Sequence, residues 1–227
     1  MSTRRRAWAG CAITGCVLVL GACTPTKPQA PPAFKGDPVA GRAVVERVCA
    51  ACHGVDGNGA SDAVPRLAGQ YPEYIEKQIL AFQSHEGAPP KRISPVMGPI
   101  AAGLTAADAA NVAAYYTHYR AEPGVAPDPA AVALGRTIYL QGDPDRDLPA
   151  CVTCHRPTGA GIEPDFPRLG DQKASYIETQ LTQWMQTRAH PGKLMSMIVP
   201  RLQPDERHAV ANYIAQLHPS DADLPAP

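Results

Sequence analysis

The sequence predicts an all-α fold built from two tandem copies of one small domain, and three observations support this prediction. One block of motifs occurs twice along the 227 residues. Within each block, apolar residues recur at three- and four-residue spacing, which is typical of one face of a helix, and no segment shows a convincing strand pattern. Aromatic residues make up only 6% of the chain, against 25 prolines and 19 glycines. This composition favours short helices joined by long loops around a non-protein body.

Residues 1–23 have the features of a secretion signal. Arg4, Arg5 and Arg6 precede an apolar run that is too short to span a membrane. The run ends in Leu-Gly-Ala-Cys, which resembles the lipobox of bacterial lipoproteins and predicts a lipid on Cys23. An ordinary signal peptide is the alternative, and a twin-arginine signal is less favoured because no matching continuation follows the arginines. The sequence therefore predicts a periplasmic protein anchored to a membrane through Cys23.

Residues 24–36 are rich in proline and polar side chains and show no periodicity. We interpret them as a semi-rigid tether with a reach of about 40 Å. Cys11 and Cys16 belong to the signal and Cys23 takes the lipid, so the remaining four cysteines all fall in two C-x-x-C pairs. This assignment leaves no thiol for a structural disulfide.

The internal repeat defines the predicted domains. The matched residues of the two copies include Cys49 and Cys151, Cys52 and Cys154, His53 and His155, Gln70 and Gln172, Glu76 and Glu178, and Leu104 and Leu202. The second copy contains an additional polar stretch with four charges, residues 142–149. We assign residues 37–122 to the first domain, 123–129 to a linker, 130–219 to the second domain and 220–227 to a flexible tail.

Each copy is predicted to contain three principal helices. The first copy has them at residues 38–52, 74–82 and 105–120, and the second at 129–140, 176–184 and 204–217. Thr105 and Asp108 have the spacing of a capping box. Pro204 is followed by two acidic residues, which favours a helix start.

The repeated Cys-x-x-Cys-His motif is typical of covalent c-type heme attachment. The cysteines Cys49 and Cys52, and Cys151 and Cys154, would form thioethers with two hemes c. The histidine that follows each pair would be the proximal iron ligand, which predicts His53 and His155. A zinc knuckle is the alternative, but it needs the two pairs to converge, whereas each pair has its own copy of the domain. A thioredoxin-like redox pair does not require the histidine.

The sixth iron ligand is predicted to be methionine in both copies. Met97 lies in a proline-rich stretch that we expect to be non-helical, seven residues before Leu104. In the second copy Met195 has the same spacing to Leu202, so it is favoured over Met197. A thioether stabilises ferrous iron and suits an electron carrier. Two loop histidines, His85 and His190, keep bis-histidine ligation open. Three more, His118, His208 and His218, are predicted to be surface residues.

The charge balance excludes one class of partner. Basic and acidic residues number 21 each, and setting aside Arg4, Arg5 and Arg6 leaves 18 basic against 21 acidic side chains, a formal charge of −3. No basic patch marks a nucleic-acid partner. No catalytic cluster accompanies the predicted hemes, so we also expect no small-molecule substrate.

The combined motifs resemble the diheme cytochrome c4 family. The motifs are Cys-Ala-Ala-Cys-His-Gly, Asp-Gly-Asn-Gly and Pro-Arg-Leu-Ala-Gly-Gln, and the similarity covers residues 38–217. The resemblance implies two cytochrome c-like domains, each wrapped around one covalent heme, that face each other across a pseudo-twofold axis. It also implies a periplasmic carrier between a quinol-oxidising complex and a terminal oxidase. The lipobox departs from the soluble pattern and favours a tethered carrier.

We therefore predict an electron-transfer protein and not an enzyme. Two alternatives stay open from the sequence. One is a cytochrome subunit of a membrane redox enzyme, and the other is a diheme enzyme such as a peroxidase or a thiosulfate-oxidising cytochrome, which would need an open iron position.

Overall fold

The structure, a computed structural model, describes residues 34–188 and 193–220 and confirms the all-α prediction. Within these two ranges there is no strand, only three isolated bridges. The helices are α1 Pro38–Val44, α2 Ala50–His53, α3 Pro72–Ala81, α4 Met97–Ala102, α5 Ala106–Thr117, α6 Val132–Gln141, α7 Val152–His155, α8 Ala174–Thr187, α9 Leu194–Ile198 and α10 Pro204–Ala215. A π-helical turn, Val45–Cys49, joins α1 to α2, and three short 3₁₀ turns lie in the second half.

In the first half, α1 and α3 both pack against α5. Asp37 caps the start of α1 by accepting from the amides of Val39 and Ala40, and Pro38 follows at the first helical position. The predicted capping box at the start of α5 is present, because Thr105 and Asp108 exchange side-chain to backbone hydrogen bonds. The core of this half contains the buried side chains Val45, Ile75, Val112 and Tyr116.

The second half repeats this arrangement with α6 and α8 packed against α10. Gly41 lies where α1 crosses α5, and Gly135 lies at the equivalent position, where α6 crosses α10. A Cβ on either residue would clash with a backbone carbonyl of the last helix, that of Asn111 and that of Ala209 respectively. The repeated glycine is thus explained by the close approach of the opening helix to the closing helix.

The additional stretch 142–149 was expected to be a polar loop, but it contains a 3₁₀ turn, Pro144–Arg146. Arg146 pairs with Asp143 at 2.6 Å and with the buried carboxylate of Glu206 at 2.5 Å. Glu206 in turn accepts from the amide of Gln203 at 2.8 Å, at the start of α10. The extra residues therefore brace the closing helix of the second half.

Residues from Phe34 onward form one compact unit, in which the halves exchange matched hydrogen bonds. The side-chain amide of Gln70 binds the backbone N–H and C=O of Arg168, at 3.0 and 2.8 Å. The amide of Gln172 binds the same groups of Arg66, both at 2.9 Å. Because all four groups are partly or fully buried, these contacts fix how the two halves meet.

A second set of polar contacts crosses the junction farther along α3 and α8. Arg92 and Arg188 each donate to the side-chain oxygens of Gln78 and Gln180. Each guanidinium also stacks on an aromatic ring of its own half, Arg92 on Phe82 and Arg188 on Trp184. The two repeats thus share an extensive polar interface.

Candidate heme sites

Each attachment motif lies on a single helical turn. Cys49 ends the π-helical turn, and α2 carries Cys52 and His53. In the second half Cys151 caps α7, which ends at His155. Residues three and four apart lie on one face of a helix, so both thiols and the imidazole of each motif share one side of the turn.

Both histidines are held in one tautomer by a buried hydrogen bond. His53 Nδ1 lies 3.2 Å from Pro65 O, and His155 Nδ1 lies 3.0 Å from Pro167 O. A carbonyl oxygen only accepts, so Nδ1 carries the proton and Nε2 keeps its lone pair. Burial lowers the pKa of both histidines, which favours the neutral ring that binds metal.

The free lone pair provides a test of whether heme fits. Both rings are 8% exposed, and neither Nε2 has a hydrogen-bond partner in the structure. The lone pair of each Nε2 is therefore available to a metal ion. Heme iron fits this donor, and the neighbouring thiols fit covalent attachment.

The loop after each motif has the same path in both halves. The amide of Gly59 donates to His53 O at 2.8 Å, and the amide of Gly161 donates to His155 O at 3.0 Å. The loop then returns so that Pro65 or Pro167 presents its carbonyl to the ring. The repeated Pro-Arg-Leu motif is thus the segment that orients the histidine of each attachment motif.

The methionines occupy different environments. Met97 packs against the core cluster that also contains Cys49, and Met195 packs against the cluster that contains Cys151. Met197 is 50% exposed. Each half therefore brings one methionine and one attachment cysteine to the same apolar interior.

The expectation that Met97 lies in a non-helical stretch was wrong. Met97 is the first residue of α4, and its amide donates a hydrogen bond to Ser94 Oγ at 3.0 Å. The serine replaces an intrahelical partner, which lets a short helix begin within a proline-rich segment.

The remaining histidines are His85 and His190, which were the alternative ligands, and three that were predicted to lie at the surface. His85 is exposed and binds Leu80 O at 3.3 Å, while His190 lies outside the described residues. His118 lies at the end of α5. His208 and His218 are partly exposed, but both contact carboxylates: His208 contacts Glu178 and Asp128, and His218 contacts Asp171.

The four cysteines of the motifs are free thiols in the structure. Burial raises the pKa of the Cys49 and Cys151 thiols to about 11. Within residues 34–188 and 193–220, no three His, Cys, Asp or Glu side chains converge as a zinc site requires.

Sequence reasoning missed one pair of residues beside the sites. Tyr116 donates its hydroxyl to Gly54 O at 3.0 Å, and Tyr139 donates to Arg156 O at 2.6 Å. Both carbonyls belong to the residue after the histidine of the attachment motif. The two tyrosines are not at matched repeat positions, so the repeat carried no signal for them.

A family model for cytochrome c matches residues 38–118 and 132–218. Cytochrome c4 of Thiocapsa roseopersicina is 38% identical over 186 residues, covering 80% of this chain and 93% of the relative. The thiosulfate dehydrogenase electron acceptor of Stutzerimonas stutzeri is 40% identical over 179 residues, covering 74% of this chain and 78% of the relative.

Solved structures agree with these relatives. The crystal structure of reduced cytochrome c4 from Pseudomonas stutzeri superposes with a TM-score of 0.73 at 35% identity, covering 81% of this chain and all of that one. The thiosulfate dehydrogenase from Marichromatium purpuratum superposes with a TM-score of 0.71 at 38% identity. It covers 83% of this chain and 44% of that one.

The two repeats and their sites thus define a c-type cytochrome with two hemes c per chain. The chain belongs to the cytochrome c family and, within it, to the diheme cytochrome c4 family. It is an electron-transfer cytochrome, and its partners are redox proteins. Heme supplies reversible one-electron chemistry at its iron, and the residues described here would attach it and orient its ligands.

Cys23 lies outside the described residues. Among the residues that are described, no helix has the length and apolar character needed to cross a membrane.

Proposed function

We propose that this chain carries electrons in the periplasm as a tethered protein, accepting them from a quinol-oxidising complex and passing them to a terminal oxidase. The observation that carries this proposal is that each half holds a buried motif histidine, and that one methionine packs against the same core cluster as the first cysteine of the motif. With His53 and Met97 in the first half, and His155 and Met195 in the second, both axial positions of each iron are filled. Such an iron transfers electrons through the heme edge and offers no open position to a substrate.

The proposed attachment residues are Cys49 and Cys52 in the first half and Cys151 and Cys154 in the second. The anchor is proposed at Cys23, followed by the tether 24–36. Two or more acyl chains on such a cysteine would hold the protein stably at the membrane.

Spectra of the holoprotein test the ligation. We expect two hemes per chain by pyridine hemochrome, the near-infrared sulfur-to-iron band in the oxidised protein, and slow binding of carbon monoxide by the reduced protein. Rapid turnover of hydrogen peroxide without a partner protein would instead favour a diheme peroxidase.

Reoxidation by membranes tests the proposed transfer of electrons to a terminal oxidase and the role of the tether. Reduced protein should be reoxidised by membranes that contain a terminal oxidase, and a chain shortened within 24–36 should lose that activity while its optical spectrum is unchanged. Cys23→Ser should release a soluble form. Finding the native protein in the soluble fraction would contradict the proposed lipid anchor on Cys23.

A thiosulfate dehydrogenase is a second candidate donor, because relatives with that electron-acceptor role match 74% of this chain. Stopped-flow reduction by a purified thiosulfate dehydrogenase plus thiosulfate tests it. Thiosulfate alone should reduce neither heme if the chain is a carrier.

A further inference from the structure

Gln70 and Gln172 make matched contacts between the halves, but the residue that follows them differs. In the first half it is Tyr71, whose hydroxyl donates to Ala160 O at 3.0 Å. In the second half it is Lys173, whose ammonium donates to Gly59 O at 3.1 Å and to Ser61 O at 2.6 Å. Each side chain is buried and reaches the loop after the other half's attachment motif. A neutral phenol therefore lies beside one site and a cation beside the other.

The ammonium of Lys173 lies close to the groups that hold His53. The position where a Cβ on Gly59 would stand is 3.1 Å from Lys173 Nζ and 3.6 Å from Pro65 O. Pro65 O is the acceptor for His53 Nδ1, and the amide of Gly59 donates to His53 O. The charge of Lys173 also lowers the pKa of His53, in addition to the larger effect of burial.

Other charges near Lys173 do not cancel it by direct pairing. Burial and then the Arg66 cation lower the pKa of Lys173, while Asp62 and Glu122 raise it, and neither carboxylate forms an ion pair with the Lys173 ammonium in the described structure. Arg66 itself lies 3.9 Å from Glu122. The only hydrogen-bond acceptors that the described structure gives the Lys173 ammonium are the neutral carbonyls of the loop.

The matching loop of the second half contains two acidic side chains, Glu163 and Asp165. Glu163 occupies the repeat position of Ser61, and burial together with Glu73 raises the pKa of Glu163. Asp165 in the same loop lies 3.7 Å from Lys77, and both side chains are well exposed. An exposed pair of this kind is strongly screened by solvent.

We propose that Lys173 raises the reduction potential of the first-half heme, because it holds a buried cation beside the groups that position His53. Ferric heme carries one more positive charge than ferrous heme, so a nearby buried cation disfavours the oxidised state. This inference rests on His53 being the proximal ligand of the first heme. At roughly 10 Å and an effective dielectric constant of about 20, one charge shifts the one-electron equilibrium about tenfold. For one electron, tenfold corresponds to about 59 mV.

Lys173→Gln tests the proposal, because glutamine keeps a donor to the loop carbonyls and removes the charge. The full-length holoprotein is first assayed for two hemes, which separates failure of cofactor binding from failure of this inference. The potential of each heme is then followed through its own heme-methyl signals by paramagnetic NMR. We expect the redox equilibrium of the first-half heme to shift about tenfold toward the oxidised state. The potential of the second-half heme should change much less.

Three further variants complete the test. Tyr71→Phe removes the hydroxyl contact to Ala160 without changing charge, and Lys35→Gln removes an exposed lysine. Neither variant should change the difference between the two heme potentials. Tyr71→Lys places a cation beside the second site and should raise that potential, which tests the idea from the other half if Lys173→Gln does not fold. With two hemes bound, an unchanged first-half potential in Lys173→Gln, or an unchanged second-half potential in Tyr71→Lys, would overturn the proposal.

Discussion

The two halves fasten the same turn with tyrosines from different helices. In the first half the tyrosine is Tyr116, on the closing helix α5, and in the second it is Tyr139, on the opening helix α6. Each donates to the carbonyl of the residue that follows the proximal histidine. The contact is therefore repeated although its sequence position is not. The geometry beside the histidine is what the two copies share, and different helices supply it.

That same turn also differs in backbone strain. Gly54 and Arg156 follow the two histidines and have nearly the same conformation, with φ 75° and ψ 158° against φ 66° and ψ 160°. Glycine adopts these angles readily, whereas for arginine they lie in a region that is essentially restricted to glycine. The first half avoids a strain that the second half retains.

The largest expected effect comes from removing one attachment pair at a time. Cys49→Ala with Cys52→Ala should leave one heme, and Cys151→Ala with Cys154→Ala should also leave one. Each half has its own core cluster, so the intact half should keep its heme. Pyridine hemochrome measures the count. Loss of both hemes in either variant would show that the halves do not load independently.

The next effect concerns the sixth ligand. Met97→Ala and Met195→Ala should each open one heme to carbon monoxide and remove about half of the near-infrared sulfur-to-iron band. Met197→Ala is the matched control, because this neighbouring methionine is 50% exposed and should leave both signals unchanged. Carbon monoxide binding in Met197→Ala, with none in Met195→Ala, would transfer the assignment to Met197.

A smaller effect tests the strained turn. Arg156→Gly should stabilise the second half by about 1 kcal/mol, since relief of strain of roughly 1–3 kcal/mol exceeds the entropy that glycine adds to the unfolded chain. Hydrogen exchange of peptides from each half measures this. The mirror variant Gly54→Ala should destabilise the first half, where a Cβ would also meet Asp56 Oδ1 at 2.7 Å. Equal protection in Arg156→Gly and the parent would show that the turn carries no strain.

The residue pattern predicts some features of the sites better than others. The repeated Cys-x-x-Cys-His motif identified the candidate attachment residues because that chemistry needs a fixed spacing, and the period of apolar residues located the main helices. The helical start at Met97 was missed because it lies in a proline-rich stretch, where Ser94 Oγ accepts a hydrogen bond from the Met97 amide. The contacts of Tyr71 and Lys173 were not predictable either. They cross between halves, and a sequence repeat does not show how its copies pack.

The smallest expected effect is a pH dependence confined to the second half. His208 on α10 lies 2.9 Å from Glu178 on α8 and 3.2 Å from Asp128 in the linker. Glu178, and then Asp128, raise the pKa of His208 above its ordinary value of 6.5. The only other polar contact of this ring in the described structure is with Asn212, on its own helix. In the first half, Ala110 occupies the matching repeat position, although Glu76 matches Glu178.

Because the folded pKa of His208 is raised, its contribution to stability is fully present below 6.5 and is lost as pH rises through the folded pKa. The side chain is 41% exposed, so solvent weakens the pairing and the effect should be modest. Hydrogen exchange, corrected for its intrinsic pH dependence, should show that α8 and α10 lose protection between about pH 6 and pH 8. The first-half helices α3 and α5 should not. His208→Ala should abolish this difference between the halves by lowering second-half protection at the acidic end, where the charged imidazole bridges two carboxylates. If the variant keeps the same pH dependence as the parent, the sensitivity arises elsewhere, and the asymmetry at His208 has no consequence for stability.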